Sequence, residues 1–336
     1  MNATEAEAID IDDIRDAARR LDGHHAVTPL LESPFLNEIA GKRVLVKAEC
    51  LQRTGSFKFR GAWSAVTALS AEERSRGVLA YSSGNHAQGV ALAAQLSGTK
   101  AIILMPNDAP RIKIDNTRAF GAEVILYDRP GGESREEIGA VLAKERGLHL
   151  IKPYDNKYVI CGQGTCGLEI AVQAKNLGVN KADVLVCCGG GGLTSGIAIA
   201  LEADMPASKV RPVEPEHYDD VIRSQLAGER QFVVKHPPSI CDAIVTPAPG
   251  ELTFPMIKRL CSPGIVVNEQ ETLRAMGHAL LRLKLVSEPG GAVALAAALF
   301  HSAKVESDTI IALISGGNAD ATAITQSLDS IASTIA

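Results

Sequence analysis

The run Ile310-Ile311-Ala312-Leu313-Ile314 carries no polar residue on either face. Successive side chains of a strand point to opposite faces, so a strand of this kind must be covered on both sides. Five further runs have the same character: Val44-Leu45-Val46, Val78-Leu79-Ala80, Ala101-Ile102-Ile103-Leu104, Val124-Ile125-Leu126 and Val184-Leu185-Val186. Strands buried on both faces belong to parallel sheets with helices packed against each side. Helical patterns do separate the runs, over residues 85–96, 112–120, 134–145, 168–177 and 271–283. Gly98, Gly121, Gly147 and Gly178 follow four of them, which suits a helix stop. The chain is therefore expected to be α/β, with mostly parallel sheets flanked by helices. It shows no heptad array, repeat or low-complexity segment, and residues 129–132 and 246–250 read as loops.

A chain of 336 residues can bury a large core and build two domains. Its net charge of −5 gives no electrostatic reason to expect nucleic acid or an anionic membrane as partner. No apolar run approaches the roughly 18 residues of a membrane span. Residues 1–13 are acidic and lack the basic and apolar regions of a signal peptide. The seven cysteines form no CxxC pair and no disulfide framework, which fits a reducing cytoplasm.

Four short motifs carry chemistry. After the strand 184–186 comes Gly189-Gly190-Gly191-Gly192, followed by a helical pattern over 194–203. Glycines let backbone N–H groups approach a phosphate closely, and the helix adds its positive end. No Gly-Lys-Ser/Thr follows and the GxGxxG spacing is missing, so a phosphate monoester suits the loop better than a nucleotide. Ser82-Ser83-Gly84-Asn85-His86 also passes from strand to helix, where Ser83 or Asn85 could simply cap the helix. Ser315-Gly316-Gly317-Asn318 ends a buried strand, the place where α/β proteins put ligand groups. Lys58 stands in Gly55-Ser56-Phe57-Lys58-Phe59-Arg60-Gly61-Ala62. A lysine in this company can form a Schiff base with pyridoxal 5'-phosphate, whose phosphate the glycine loop would hold. On these residues alone a nicotinamide oxidoreductase and a non-catalytic binding protein stay open.

Together the motifs resemble those of the fold-type II pyridoxal-phosphate enzymes, in particular the serine/threonine dehydratases and serine racemases. The resemblance runs from Thr28-Pro29-Leu30 to Ser315-Gly316-Gly317-Asn318 and includes Gly162-Gln163-Gly164-Thr165 and Glu288-Pro289-Gly290-Gly291-Ala292. It implies a large domain of residues 1–72 and 153–336 and a small mobile domain of residues 73–152. The regulatory C-terminal domain of biosynthetic threonine dehydratases is not expected. Lys58 would be the Schiff-base lysine and the base for the Cα proton. Phe57 would pack by the cofactor ring, Asn85 would bond its 3'-oxygen, and Ser315 would face its nitrogen. Gly189, Gly190, Gly191 and Gly192 would bind the phosphate. Ser82, Ser83, Gly84 and His86 would take the substrate α-carboxylate, and Ser83 matches the second acid/base of serine racemases.

The implied activity is removal of water and ammonia from a small β-hydroxy amino acid, with racemisation as the alternative. A neutral serine at the ring nitrogen weakens the electron sink and favours elimination. Glu214-Pro215-Glu216-His217-Tyr218-Asp219-Asp220 resembles a divalent-cation loop. There Glu214, the Tyr218 carbonyl and Asp220 would bind Mg²⁺, or Ca²⁺ or Mn²⁺, with waters. Read without the resemblance, the same string is a solvated acidic loop. Glu133-Ser134-Arg135-Glu136 resembles the string at the matching place in serine racemases, whose arginine can reach an acidic ligand; read without the resemblance, Arg135 is a solvated arginine on a helix's first turn. With the resemblance, its planar fork suits a second carboxylate and implies 3-hydroxyaspartate ahead of serine and threonine. A cytoplasmic homodimer is expected.

Overall fold

The computed structural model describes residues 9–82, 84–109, 111–235 and 237–335. Among the described residues, ten strands form two sheets: β1 (Leu30–Glu32), β2 (Arg43–Ala48), β3 (Val78–Tyr81), β4 (Ala101–Pro106), β5 (Glu123–Tyr127), β6 (His149–Leu150), β7 (Asp183–Cys187), β8 (Lys209–Pro215), β9 (Ile265–Val267) and β10 (Thr309–Ile314). The larger sheet has the order β1-β2-β10-β7-β8-β9, and the smaller one β5-β4-β3-β6. Every neighbouring pair is parallel except β1 with β2.

The six apolar runs all lie in strands, and β2, β4, β7 and β10 are buried along almost their whole length. The helix Pro289–Phe300 covers one face of the larger sheet, with residues 289 to 299 all buried. Such a side chain, when fully buried as Leu295 is, stabilises the fold by roughly 1.5–3 kcal/mol. The helix Gly192–Asp204 covers the other face and packs against the helix Lys157–Asn176. That second helix starts eleven residues before the expected Leu168. Gly162, Gly164 and Gly167 lower its helical propensity, which hides it from a pattern search. The packing needs them small: a Cβ on Gly164 would lie 2.9 Å from the Gly196 carbonyl oxygen of the facing helix.

The other expected helices appear as Asn85–Leu96, Arg111–Ala119 and Arg135–Arg146, and as Glu269–His278 running into a wider turn at Ala279–Leu283. The strands β1 and β6, three and two residues long, carry too few apolar residues to stand out, and Ile265-Val266-Val267 forms a further short strand, β9, beyond the six runs. Glu214 lies inside β8 rather than in the loop after it, and Asp220 opens the helix Asp220–Ala227. Among the described residues no helix is long and apolar enough to cross a membrane.

Candidate active site

In parallel sheets, ligands gather beyond the carboxyl ends of strands, where neighbouring connections leave in opposite directions. β7 and β10 lie side by side in the middle of the larger sheet, β7 flanked by β8 and β10 by β2. The glycine loop follows β7, Ser315 follows β10, and Ser82 follows β3 of the smaller sheet. The segment before Lys58 is fastened there by backbone bonds. Phe57 N–H donates to the Ser315 carbonyl at 3.1 Å, and Gly317 N–H donates to the Gly55 carbonyl at 2.8 Å. Lys58 then opens the helix Lys58–Ala68 and projects its amine into a cleft of about 230 Å³. This is small beside the roughly 300–1,000 Å³ of drug-sized ligand sites, so it suits a single-ring phosphate rather than a dinucleotide.

Lys58 Nζ lies 5.0 Å from the centre of the Phe57 ring and donates to the Pro153 carbonyl at 3.0 Å. Burial pushes its pKa down to about 8, with the Glu288 charge acting the other way. Gly189, Gly190, Gly191 and Gly192 line the cleft, with the Tyr154 ring lying over Gly190. Gly191 precedes the helix Gly192–Asp204 at φ 92°, a conformation that favours glycine. The Thr194 and Thr246 hydroxyls and the Gln163 amide nitrogen also belong to residues of this lining. All three are buried without a hydrogen-bond partner. Buried polar atoms are normally satisfied, so an unpartnered set in one cleft marks a place for a polar ligand.

Asn85 is the first residue of the helix Asn85–Leu96. Its Nδ2 donates to Glu288 Oε1 at 2.5 Å and its Oδ1 accepts from Asn318 Nδ2 at 2.7 Å, which fixes the amide plane. Glu288 precedes a helix without capping it and turns its carboxylate to Asn85 instead. Burial, with Asp242 adding to it, raises the Glu288 pKa to about 7. The His86 ring is bonded through Nε2 to the Ile151 carbonyl at 2.9 Å, so Nε2 carries the proton. Burial and the neighbouring Lys58 push its pKa down to about 3, leaving it neutral. The neutral ring has no second N–H for a carboxylate. Only the His86 backbone N–H, in the first helical turn, is free of the intrahelical pattern.

Ser82, Gly84, Asn85 and His86 line the cleft together with Lys58. Ser83 lies outside the described residues. Ser315 is buried beside the site rather than on its lining, next to Cys187. Arg135 lines the cleft with its guanidinium 5.1 Å from the Tyr81 ring centre, paired with Glu136 at 2.8 Å. Glu214, Tyr218 and Asp220 form a separate place away from this lining. Glu214 accepts backbone N–H bonds from Val221 at 3.0 Å and Ile222 at 2.8 Å, whereas both Asp220 oxygens are buried without a partner. Burial raises both carboxyl pKa values, Asp220 to about 7 and Glu214 well above its ordinary range, the latter also through Asp220 beside it. Among the described residues no group of three or more His, Cys, Asp and Glu side chains could hold a metal. Tyr154, Lys113 and Asp242 are not visible from the sequence, and Gln163 only as part of the string Gly162-Gln163-Gly164-Thr165, because the packing alone brings them to the cleft.

The sequence profile of the pyridoxal-phosphate dependent enzymes matches residues 21–316. The chain belongs to that family. It is 41% identical over 309 residues to the L-threo-3-hydroxyaspartate ammonia-lyase of Saccharomyces cerevisiae, covering 92% of this chain and 93% of that protein. It is 39% identical over 327 residues to the serine racemase of Dictyostelium discoideum, covering 96% and 98%. Among solved structures, a T.th. threonine deaminase matches with a TM-score of 0.85 at 44% identity, over 93% of this chain and 99% of that one. Maize serine racemase matches with a TM-score of 0.88 at 37% identity, over 98% and 99%. The protein is a fold-type II pyridoxal-phosphate-dependent enzyme of the ammonia-lyase kind, and the buried amine and unpartnered polar atoms of the cleft fit that cofactor.

Proposed function

We propose that this enzyme eliminates water and ammonia from a small β-hydroxy amino acid, with 3-hydroxyaspartate favoured and L-serine and L-threonine next. The observation that carries the reading is the buried Lys58 amine, lowered to about 8, between the glycine loop and the start of the helix Asn85–Leu96. Pyridoxal 5'-phosphate, when bound, supplies the electron sink that lets the Cα proton and the β-hydroxyl leave. Lys58 would carry the cofactor at rest and hold the Cα proton during the reaction, and a pKa near 8 suits a base working close to neutral pH. Gly189, Gly190, Gly191 and Gly192, with the Thr194 hydroxyl, would hold the phosphate. Phe57 would pack beside the ring. Asn85 would give its second Nδ2 hydrogen to the phenolic oxygen, and Ser315, buried beside the lining, would face the ring nitrogen with a neutral hydroxyl.

The substrate α-carboxylate would rest on Ser82, Ser83, Gly84 and the backbone N–H of His86. Arg135 would bind the distal carboxylate of 3-hydroxyaspartate, whose elimination gives oxaloacetate and ammonia. In the same reading, residues 73–152 form a small domain that moves against residues 1–72 and 153–336. A divalent cation, Mg²⁺ or in its place Ca²⁺ or Mn²⁺, would be held by Glu214, Asp220 and the Tyr218 carbonyl with waters. The two unpartnered oxygens of buried Asp220 support it, because buried charge calls for a counter-ion. The protein would act as a cytoplasmic homodimer. Half-exposed Phe35, with Arg282 over its ring at 4.5 Å, is the kind of group such an interface covers. The similarity to serine racemases favours a second reading, racemisation of serine or aspartate with elimination as a side reaction and Ser83 as opposite-face acid/base.

The test is 2-oxo acid release from the isomers of 3-hydroxyaspartate, L-serine and L-threonine by wild type and Arg135→Ala. A charge-assisted bond contributes roughly 1.5–3 kcal/mol, so the variant should lose about 10–100-fold in kcat/KM on 3-hydroxyaspartate and far less on L-serine. Equal losses, or no turnover of any 3-hydroxyaspartate isomer, would leave a general serine/threonine dehydratase.

A further inference from the structure

Among the described residues, four cationic side chains line the cleft: Lys58, Lys113, Arg129 and Arg135. The last three each have an acidic partner. Arg129 pairs with Asp108 at 2.8 Å, Arg135 with Glu136 at 2.8 Å, and Lys113 with Asp242 at 2.9 Å. Of these three acids only Asp242 belongs to the lining, so among the described residues this is the pair with both members facing the cleft. Its two halves come from opposite walls. Lys113 is in the helix Arg111–Ala119 that packs on the smaller sheet's side, and Asp242 starts the segment 242–247 lying along the glycine loop.

The Lys113 side chain is only 14% exposed, and its Nζ comes within 3.7 Å of where a Cβ on Gly84 would stand. The ammonium is therefore next to the segment proposed to seat the substrate α-carboxylate. Lys113 and Asp242 are also both felt electrostatically at Glu288, the partner of Asn85. Asp242 is 54% exposed, and a half-exposed ion pair of this kind contributes little and separates easily. An ammonium held beside a carboxylate seat, with its counter-ion so loosely kept, is a cation in reserve.

We propose that Lys113 shares with Arg135 the selection of acidic substrates, by ion-pair exchange: the distal carboxylate of a dicarboxylic amino acid, held on one oxygen by Arg135, takes the place of Asp242 at Lys113 Nζ with the other. No bond to carbon is made or broken in this step and no proton moves. Asp242 turns to water, and the charge count at Lys113 is unchanged. A monocarboxylic substrate leaves the Lys113–Asp242 pair intact and gains nothing from it. Asp242 thus acts as an internal competitor that sets how strongly acidity is rewarded. The proposal rests on the reading of Ser82 to His86 as the α-carboxylate seat and deepens the choice of an acidic substrate.

Binding separates the two. L-Aspartate has no β-hydroxyl to eliminate, so its Kd can be measured on the holoenzyme by calorimetry, with L-alanine as the monocarboxylic control. The ratio of the two affinities is the readout. Lys113→Met should lower the preference for aspartate at least ten-fold, and Lys113→Arg should restore most of it. Asp242→Asn should raise the preference several-fold by removing the competitor, and melting temperatures identify any variant that fails to fold. An unchanged ratio in Lys113→Met, or a preference lowered by Asp242→Asn, overturns the exchange. If wild type releases no 2-oxo acid from 3-hydroxyaspartate but the aspartate ratios behave as stated, the substrate reading has failed and the exchange stands.

Discussion

Arg60 lies two residues beyond Lys58 in the lysine motif, and the structure makes it the centre of a buried ion network rather than a ligand group. Its Nε and Nη2 each donate to Glu49 at 2.8 Å, and its Nη1 donates to Glu169 at 2.7 Å and Thr165 at 3.2 Å. Lys47 completes the set through Glu169 at 2.5 Å. Two cations thus balance two carboxylates, and the side chains of Arg60, Glu49 and Lys47 are wholly buried. Arg60→Met would leave Glu49 with the hydrogen bond from the Thr28 hydroxyl and a buried charge without its counter-ion. Removing one member of a buried pair costs about 3–5 kcal/mol, a large part of the roughly 5–15 kcal/mol by which domains are stable. Glu49→Leu should cost a similar amount, since Arg60 then outweighs what Glu169 can balance. The double variant Arg60→Met/Glu49→Leu removes one charge of each sign and keeps Lys47 matched to Glu169. It should therefore cost less than the two singles together by about 2–3 kcal/mol. Denaturant unfolding of cofactor-saturated protein, followed by fluorescence of Trp63 on the same helix, measures all four corners of the cycle. The network also predicts an acid limb. Burial alone would raise the Glu169 carboxyl, but the His25 bond and the Arg60 and Lys47 charges together hold it well below its ordinary value of 4.5. Its contribution is present above pH 4.5 and lost as pH falls toward the lowered folded value. Additive single-variant costs, or a cost below about 1 kcal/mol for Arg60→Met, would refute the argument.

Lys58→Ala should abolish elimination and the visible absorption of lysine-linked cofactor, and normal turnover by this variant would sink the functional reading. Capture of added cofactor by the cofactor-free protein should rise with pH around 8 rather than near 10.5, because it needs the neutral amine. Glu288→Gln removes a charge that raises the Lys58 pKa, so stopped-flow absorbance should place that midpoint lower; an upward move would contradict it. Millimolar Mg²⁺ should raise the melting temperature of wild type, EDTA should reverse the rise, and Asp220→Asn should remove the response, since an ion that binds only the folded state stabilises it. Equal melting curves with Mg²⁺ and EDTA would return the Glu214–Asp220 string to a plain acidic segment.

The sequence by itself determined the architecture and brought the motifs of the candidate site into view. Apolar runs such as 310–314 are polar on neither face, and only a doubly covered parallel sheet accommodates them. The glycine loop follows a strand and opens a helix, and so do Ser82, Gly84, Asn85 and His86, a local arrangement set by a few neighbouring residues. Tertiary structure decided the rest, because it depends on contacts between residues far apart in the chain. Asn85 is oriented by Glu288 and Asn318, more than 200 residues away, and Lys113 meets Asp242 across 129 residues. The helix Lys157–Asn176 was half hidden because its glycines oppose helical propensity locally and are justified only by the helix packed against them. Burial made the largest difference to chemistry. It lowers Lys58, neutralises His86 and turns Arg60 from a motif residue into a buried counter-ion, and no local pattern shows how deeply a polar side chain is buried.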